Sequence, residues 1–430
     1  MELKDKLLDS FIAFEEDFVL DEELHQKRID ALKIFESKGF PTKKIEGWKY
    51  TSLERLLQKD YILFSKSENC IDYKDVKKYF LYDVDTYKIV FIDGVYSPFL
   101  SDTTHDGIDA CLMSAALTKP KYRDLVNRYF NKIADSQDSM TALNTSFTKE
   151  GAYIYIPIEV VHFATGNEQA LWLQPRNLIV VDQNAQVQII ERHQSLKPHE
   201  LVTNSVTEIY AHQEAYVDYY KLQNDLDTAS LIDNTYIAQE KQSNVSVHTF
   251  SFGGKLIRNN LNFYHKGEHL NSTLKGVTIL QEQQHVDHYT LVHHAHPHCE
   301  SHQDYIGVFS DRYTGVFNGK ILVDKIAQKT NAFQQINNIL LDDKTTVNTK
   351  PQLEIFADDV KCSHGCTIGQ LDEEALFYLR SRGIPRKEAK ALLTYAFANN
   401  VLESVQLPAL KKRINHLIAS KLGVNLGFDL

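Results

Sequence analysis

Two cysteines and one histidine lie within five consecutive positions, a density that suggests metal or sulfur chemistry. They are Cys362, His364 and Cys366, in the segment DDVKCSHGCTIGQ. A thiolate and an imidazole together suit zinc, copper or an iron–sulfur cluster. On an extended strand, side chains two residues apart share a face, so these three would point to one side with successive Cα atoms ~6.6 Å apart.

This spacing is too wide for the three side chains to close around one small ion. They can instead supply part of a larger cluster, or part of a site that another chain completes. Gly365 can interrupt the alternation, which makes Cys366 the weakest candidate of the three. The alternative interpretation is structural, with a buried cysteine beside a hydrogen-bonded histidine where a strand ends. The spacing by itself leaves both interpretations open.

A second segment, residues 285–302, is rich in histidine and contains one cysteine. Its candidate metal ligands are His293, His296, His298 and Cys299. Dense histidine is typical of metal binding. However, the segment has neither the H-E-x-x-H pattern of a helical zinc site nor a C-x-x-C pair. Surface histidines around a turn at Pro297 are the alternative interpretation.

The composition argues against several classes of protein. The formal net charge of −10 is unfavourable for a nucleic-acid partner. The apolar runs are shorter than the ~18 residues of a membrane span, and the charged N-terminus lacks a signal-peptide core. We therefore expect a cytoplasmic protein without a membrane role. The cysteine count is 5, an odd number that argues against a disulfide framework.

Two familiar catalytic motifs are also missing from the sequence. GVFNGK, at residues 315–320, resembles a phosphate-binding loop, but it is one residue short and Ile321 follows its lysine. No G-x-S-x-G nucleophile motif occurs. The chain is therefore not expected to bind ATP through such a loop or to act as a serine hydrolase of that type.

The elements that must position these residues divide the sequence into three parts. Residues 1–150 are helical and mixed, residues 151–366 are strand-rich, and residues 367–430 are helical. In the middle part Val, Ile, Thr and Tyr abound, and polar turns recur at intervals of about 28 residues. The expected fold is mainly β, with a β-solenoid core flanked by N-terminal and C-terminal helical domains. A two-sheet sandwich is the alternative.

Residues after position 370 predict three helices. Asp372 can cap the first helix and Gly383 can end it, and Pro385 suits the first turn of the second. The third carries an apolar stripe, made of Leu410, Ile414, Leu417 and Ile418. Two helices joined by a tight glycine turn can form a DNA-binding helix-turn-helix, but the net negative charge of the chain favours the docking of another protein.

The segment at residues 350–384 resembles the SufD family of the SUF iron–sulfur cluster assembly system. It reads KPQLEIFADDVKCSHGCTIGQLDEEALFYLRSRGI, in which a D-D-V-K-C-S-H-G run is followed by F-Y-L-R-S-R-G-I. Further stretches agree, among them EGWKYTSL near the N-terminus and HCESHQDYIGVFSDRYTGVFNGKI. The related SufB family shares the architecture, but the C-S-H-G run favours SufD.

This resemblance implies a right-handed parallel β-helix and a scaffold subunit that is not an enzyme. It implies that the chain pairs with a SufB-like chain, that a SufC-like ATPase docks on the C-terminal helices, and that clusters form at the SufB–SufD interface. No cofactor is then expected in the isolated chain, only a transient iron–sulfur cluster shared with the partner. An isolated chain can also pair with a second copy of itself.

The resemblance also ranks the candidate residues. His364, in the C-S-H-G run, is the functional histidine it implies, followed by Cys362 and then Cys366, where the family often has a small residue. The implied face for ATPase docking consists of Phe377, Tyr378, Arg380, Arg382 and Tyr395. Two alternatives come from other classes: a β-helix carbohydrate-active enzyme, and a metal-buffering protein built on residues 285–302.

Overall fold

Strands that stack in parallel form the centre of the protein. The computed structural model describes all residues except 1, 17–21, 64–70, 82–86, 103–110, 149–151, 155–157, 167–169, 281–283, 311–313 and 425–430. The strands are β1 Tyr87–Ile92, β2 Val95–Tyr96, β3 Cys111–Leu112, β4 Ala152–Ile154, β5 Ile158–Ala164, β6 Leu171–Leu173, β7 Arg176–Val181, β8 Gln186–Ser195, β9 Leu201–Ala211, β10 Tyr216–Asn224, β11 Ala229–Gln239, β12 Asn244–Gly253, β13 Leu256–His265, β14 Asn271–Leu280, β15 His285–His294, β16 Glu300–Phe309, β17 Thr314–Val323, β18 Asn331–Leu340, β19 Thr346–Ile355 and β20 Lys361–Gly369.

Helices precede and follow most of these strands. They are α1 Leu3–Glu16, α2 Glu22–Lys38, α3 Glu54–Leu57, α4 Tyr73–Val76, α5 Met113–Thr118, α6 Pro120–Tyr129, α7 Ser139–Ser146, α8 Glu373–Ser381, α9 Arg386–Leu402 and α10 Pro408–Leu422. Short 3-10 turns add Glu46–Trp48 and Lys77–Tyr79. Among the helices that the structure describes, none has both the length and the apolar character needed to cross a bilayer.

The strands belong to two sheets that share the coils of a solenoid. Sheet I has the order β2-β1-β5-β8-β10-β12-β14-β16-β18-β20, and sheet II has the order β19-β17-β15-β13-β11-β9-β7-β4-β3, with β6 beside β9. From β7 onward, successive strands alternate between the sheets and pair in parallel with the strand one coil away. This topology is a parallel β-solenoid, as the sequence predicted, and not a sandwich. Sheet I also includes β1, from the part of the chain before residue 150.

One corner of the solenoid is closed by a residue with left-handed backbone geometry in each of six coils. Each of these residues lies between a strand of sheet II and the next strand of sheet I, with φ between 57° and 63°. They are Asn184, Glu214, Gln242, His269, His298 and Lys329. The backbone amides of all but His269 are seen to donate to carbonyls of the following coil, as Asn184 does to Gln213 over 3.0 Å. The predicted recurrence of polar turns therefore reflects the length of one coil.

Alternate side chains of both sheets fill the interior of the solenoid. One part of the interior is apolar, built from residues such as Ile189, Ile209, Val247 and Val292. Further along the same strands the interior is polar, and its groups pair across the sheets. Lys221 of β10, for example, contacts Asp233 of β11 with 2.6 Å between Nζ and Oδ2.

The N-terminal helices cover the outer face of sheet II. Phe35 of α2 and Leu143 of α7 are fully buried with Val202 and Ile232 of the sheet. In the EGWKYTSL segment, the Trp48 ring lies 4.7 Å from the guanidinium of Arg258. That guanidinium also pairs with Asp287, which accepts a hydrogen bond from Thr51. Trp48 and Thr51 of the segment thus contact a buried ion pair of sheet II, and a pair of this kind adds little stability by itself.

The C-terminal helices fold back on the outer face of sheet I. The predicted stripe of α10 is confirmed, because Leu410, Ile414 and Ile418 are fully buried and Leu417 is partly buried in the core shared with Phe250 and Val277.

The predicted ends of α8 and α9 are close to those observed. Asp372 Oδ1 accepts hydrogen bonds from the amides of Glu374 and Ala375, which confirms the cap. Gly383 follows the end of α8 with a φ of 88°. Pro385 is the N-cap of α9 instead of lying within its first turn.

Burial lowers the pKa of several interior histidines, and His288 shows the reason most clearly. The Asn259 amide nitrogen lies 3.3 Å from His288 Nδ1 and can only donate, so Nδ1 is unprotonated. Nε2 then donates to Thr278 Oγ1 over 2.9 Å. Burial, with a smaller contribution from the charges of Lys221 and Arg258, lowers the pKa of His288 to about 3.

The buried neutral His288 predicts that acid weakens the fold. The unfolded chain takes up a proton near pH 6.5 while the folded chain does not, so stability is lost as the pH falls below that value. For His288 alone the loss between pH 7 and pH 5 amounts to about 2 kcal/mol. Urea denaturation at both pH values should show a smaller loss in His288→Gln than in the wild type. Exposed His416→Gln is the control and should keep the wild-type loss; equal losses in all three proteins would contradict the prediction.

Candidate functional site

The three residues of the C-S-H-G-C run lie on β20, the last strand of sheet I. The register pairs Cys362 with Ala332, His364 with Gln334, and Cys366 with Ile336. Those three β18 partners are 0–2% exposed and face the solenoid interior. The pairing continues through Gly365 without a bulge, so all three candidate side chains share the inward face. The expected alternation is thus confirmed, including at Cys366.

These inward-facing side chains are nevertheless accessible, because the last coil has no following coil to cover it. Within the described residues, β19 and β20 are each hydrogen-bonded to a neighbouring strand on one edge only. His364 and Cys366 are exposed, and Cys362 is half-buried. Their exposure does not favour the alternative of a buried cysteine beside a hydrogen-bonded histidine. We call this surface, formed by β19 and β20, the open end.

The facing strand β19 supplies the other side of the open end. Thr349 pairs in register with Phe317, which is buried, so it too faces inward. Cys366 Sγ lies 3.0 Å from Thr349 Oγ1. Cys362 and Leu353 pack against the same buried cluster, and partial burial raises the pKa of the Cys362 thiol. The His364 ring has no hydrogen-bond partner in the described part of the chain, which leaves its nitrogens available to a ligand.

The histidine-rich segment does not form one ligand set among the residues that the structure describes. His293 lies 3.0 Å from Asp324 as a pair on the outer face. His298 is one of the left-handed corner residues, and its ring stacks on that of His269 at 4.9 Å. Cys299 is buried and donates to the carbonyls of Gly267 and Pro297. Burial raises the pKa of Cys299 to about 11, so its thiolate is disfavoured.

A different cluster of potential metal ligands lies inside the solenoid, and the sequence analysis missed it. His162 on β5 and His193 on β8 pair in register, and Glu191 lies two residues before His193. Burial lowers the pKa of His162. Burial also opposes a charge on His193, but the nearby Glu191 carboxylate raises the pKa of His193. The sequence signal for this cluster is two histidines separated by the length of one coil. That spacing can be interpreted only when the coil length is known.

Four of the five predicted docking residues lie together on exposed surface. Phe377 and Tyr378 are 72% and 57% exposed. Arg380 and Arg382 are exposed as well, and the Arg382 guanidinium lies over the Tyr378 ring at 5.2 Å. Tyr395 lies apart from them, half-buried in the packing of α9 against sheet I. Residues 315–320 lie within β17, so the GVFNGK motif is a strand and not a phosphate-binding loop.

The structure is that of a parallel β-solenoid protein with helices on both sheets and with thiol and imidazole groups at its open end. Sequence comparison identifies the family. The family model described as "SUF system FeS cluster assembly, SufBD core domain" matches residues 163–397. The model described as "SufBD protein N-terminal region" matches residues 7–163. The chain belongs to the SufBD family of iron–sulfur cluster assembly proteins.

Individual relatives make the assignment more specific. An iron–sulfur cluster assembly SufBD family protein of Synechocystis sp. is 32% identical, covering 93% of this chain and 92% of the relative. The iron–sulfur cluster assembly protein SufD of Escherichia coli is 31% identical, covering 89% and 90%. SufD of Bacillus subtilis is 27% identical, covering 70% and 71%. The chain is therefore SufD-like.

The different environments of the cysteines predict an order of thiol reactivity. Exposed Cys366 should be alkylated by iodoacetamide first and half-buried Cys362 more slowly, because burial disfavours its thiolate. Cys299 should react at least ~100-fold more slowly than an ordinary exposed cysteine at pH 8. Peptide mass spectrometry over time measures the three rates, and urea-unfolded chain serves as the control in which they converge. Equal rates for Cys299 and Cys366 in the folded chain would refute the assignment.

Proposed function

We propose that this protein is a non-catalytic scaffold subunit of a cytoplasmic SUF-type complex, and that its open end pairs with a SufB-like chain. The observation that carries the proposal is the exposure of inward-facing side chains on β20. A strand edge with unpaired backbone groups needs a cover, and a second solenoid supplies one. The same edge allows the isolated chain to pair with a copy of itself when no paralogue is present.

His364 is proposed to contribute to a transient iron–sulfur cluster at the seam between the two subunits. An imidazole nitrogen can ligate cluster iron, and thiolates can complete the ligand set. The His364 ring is exposed and has no competing hydrogen bond in the described residues. Cys362 and Cys366 lie on the same face but too far along the strand to enclose one ion with it. This arrangement favours a half-site that the partner subunit completes.

The exposed face of α8 is proposed to dock a SufC-like ATPase. Phe377 and Tyr378 place two large aromatic side chains in solvent, and such residues are common anchors of protein interfaces. Arg380 and Arg382 add positive charge beside them. The GVFNGK segment, which resembles a phosphate-binding loop, is part of β17. This fits an arrangement in which another subunit binds ATP.

Family membership makes the two alternative functions less favourable. A carbohydrate-active β-helix enzyme would not account for matches to SufBD models on both parts of the chain. A metal-buffering protein based on residues 285–302 would need ligands free to converge. Instead, Cys299 is buried and hydrogen-bonded, and His298 closes a coil.

One prediction of the proposed function concerns His364. In a complex reconstituted with its SufB-like and SufC-like partners, His364→Ala should lower the yield of assembled iron–sulfur cluster several-fold, because one cluster ligand is lost. Absorbance and iron content measure the yield, and gel filtration checks that the complex still forms. His302→Ala, an exposed histidine on the outer face of β16, is the matched control. An unchanged cluster yield in His364→Ala would remove this residue from the proposal.

Another prediction of the proposed function concerns α8. The double variant Phe377→Ala/Tyr378→Ala should weaken binding of the SufC-like ATPase by at least tenfold, because truncating interface anchors costs ~2 kcal/mol or more. Calorimetric titration of the full chain with the ATPase measures the change. Tyr216→Ala removes an aromatic ring that is 53% exposed on the solenoid and should leave binding unaltered. If the helix variant binds like the wild type, the ATPase docks elsewhere.

A further inference from the structure

We propose that His162, Glu191 and His193 form a binding site for one divalent first-row transition-metal ion inside the solenoid. The site lies on β5 and β8, six strands of sheet I away from β20, or ~29 Å at the usual strand spacing. It is therefore separate from the open end. The proposal does not depend on the pairing of the chain with any partner, and it departs from the expectation that the isolated chain holds no cofactor.

The ligand atoms are already close to the spacing that such an ion requires. His162 Nε2 lies 3.3 Å from Glu191 Oε1, and His193 Nε2 lies 3.7 Å from the same oxygen. One nitrogen from each histidine and one carboxylate oxygen all fall within 4.8 Å of one another. A tetrahedral ion with bonds of 2.0–2.1 Å separates its ligands by ~3.3 Å. To reach this spacing, the two histidine nitrogens must draw closer together and their nearly parallel rings must tilt toward each other.

The solenoid holds the two imidazoles in a fixed orientation. Phe91, His162 and His193 occupy matched positions on three neighbouring strands of sheet I. Their rings form a stack, with centroids 5.2 Å apart between Phe91 and His162 and 4.8 Å apart between the two histidines. The rings are within 14° of parallel. The stack restrains ring rotation and holds both Nε2 atoms within 3.7 Å of Glu191 Oε1.

The carboxylate is positioned by a second set of contacts. Asn177 Nδ2 donates to Glu191 Oε1 over 2.9 Å, and the Tyr219 hydroxyl donates to Oε2. Glu191 is only 1% exposed. Hydrogen bonds of this kind commonly orient the carboxylate ligands of metal sites. They also keep Glu191 in place when no ion is bound.

Buried polar atoms around the cluster have bonding capacity available to a ligand. His162 and His193 are 9% and 4% exposed, yet neither Nε2 atom has a well-formed hydrogen bond in the described structure. A cavity of about 20 Å³ lies beside them, lined also by Asp225. Asp225 Oδ1 is buried without a partner as well. A cavity of this size holds a single ion or a single water molecule.

Charge and ligand type favour an ion over water. Two neutral imidazoles and the Glu191 carboxylate leave one positive charge on a divalent ion, and the carboxylate of Asp225 at the same cavity can balance it. Two histidines and one carboxylate, with a position left open, are a ligand set that Zn²⁺ and Fe²⁺ both accept. The proposal is the shared site, and separate additions of the two metals distinguish which one it prefers.

The experiment uses the full chain without an affinity tag. The protein is stripped with a chelator and then refolded with Zn²⁺, with Fe²⁺ under anaerobic conditions, or with Co²⁺ as a spectroscopic probe. After desalting, elemental analysis should find one ion per chain, and Co²⁺ should produce visible absorption bands. Bound Zn²⁺ should raise the melting temperature. A chain that stays metal-free in all three arms, as expected if the cavity holds water, would overturn the proposal.

Variants locate the ion within the chain. Glu191→Gln and His193→Gln should each lower the metal affinity at least tenfold and abolish the thermal shift. Using both variants, with circular dichroism as the folding check, keeps the test valid if one of them fails to fold. The control His293→Gln/His296→Gln alters the histidine-rich segment and should still bind one metal ion per chain. Loss of the ion in that control, or wild-type affinity in the cluster variants, would refute the site.

Discussion

Each coil of the solenoid is held by backbone hydrogen bonds to the coil before it and the coil after it, and the last coil has one of these neighbours only. Interior coils therefore bury their inward-facing side chains automatically. On β20 the same backbone geometry directs Cys362, His364 and Cys366 inward, but nothing in the described chain covers them. The incomplete stacking of coils thus turns interior positions into an accessible, preoriented surface without any special loop.

The same stacking explains why polar chemistry can exist inside this protein. Residues in register on neighbouring strands lie about one strand spacing apart, so like side chains form columns and opposite charges meet across the two sheets. The Lys221–Asp233 pair and the Phe91, His162 and His193 stack both arise in this way. Helices cover part of both outer faces, and the Trp48 ring of one of these helical regions packs on the guanidinium of the buried Arg258–Asp287 pair.

Much of the architecture could be predicted because its signals are local and repeated. Strand composition, recurrent polar turns and the Asp372 cap each depend on a few neighbouring residues, and all are confirmed. The strand identity of residues 315–320 also agrees with the rejection of a phosphate-binding loop. By contrast, the role of His298 as a left-handed corner residue and the inward position of Tyr395 depend on contacts with distant residues.

The sequence by itself determined the solenoid, its helical flanks, the family, and the presence of thiol and imidazole groups on one face of a strand, because periodicity and motif are properties of neighbouring residues. Only the tertiary structure decided that this face belongs to an uncovered last coil. It also brought His162, Glu191 and His193 together from different coils. The physical reason is register: which residues meet across a ladder depends on the length of every intervening turn, and that length becomes known only when the coils are stacked.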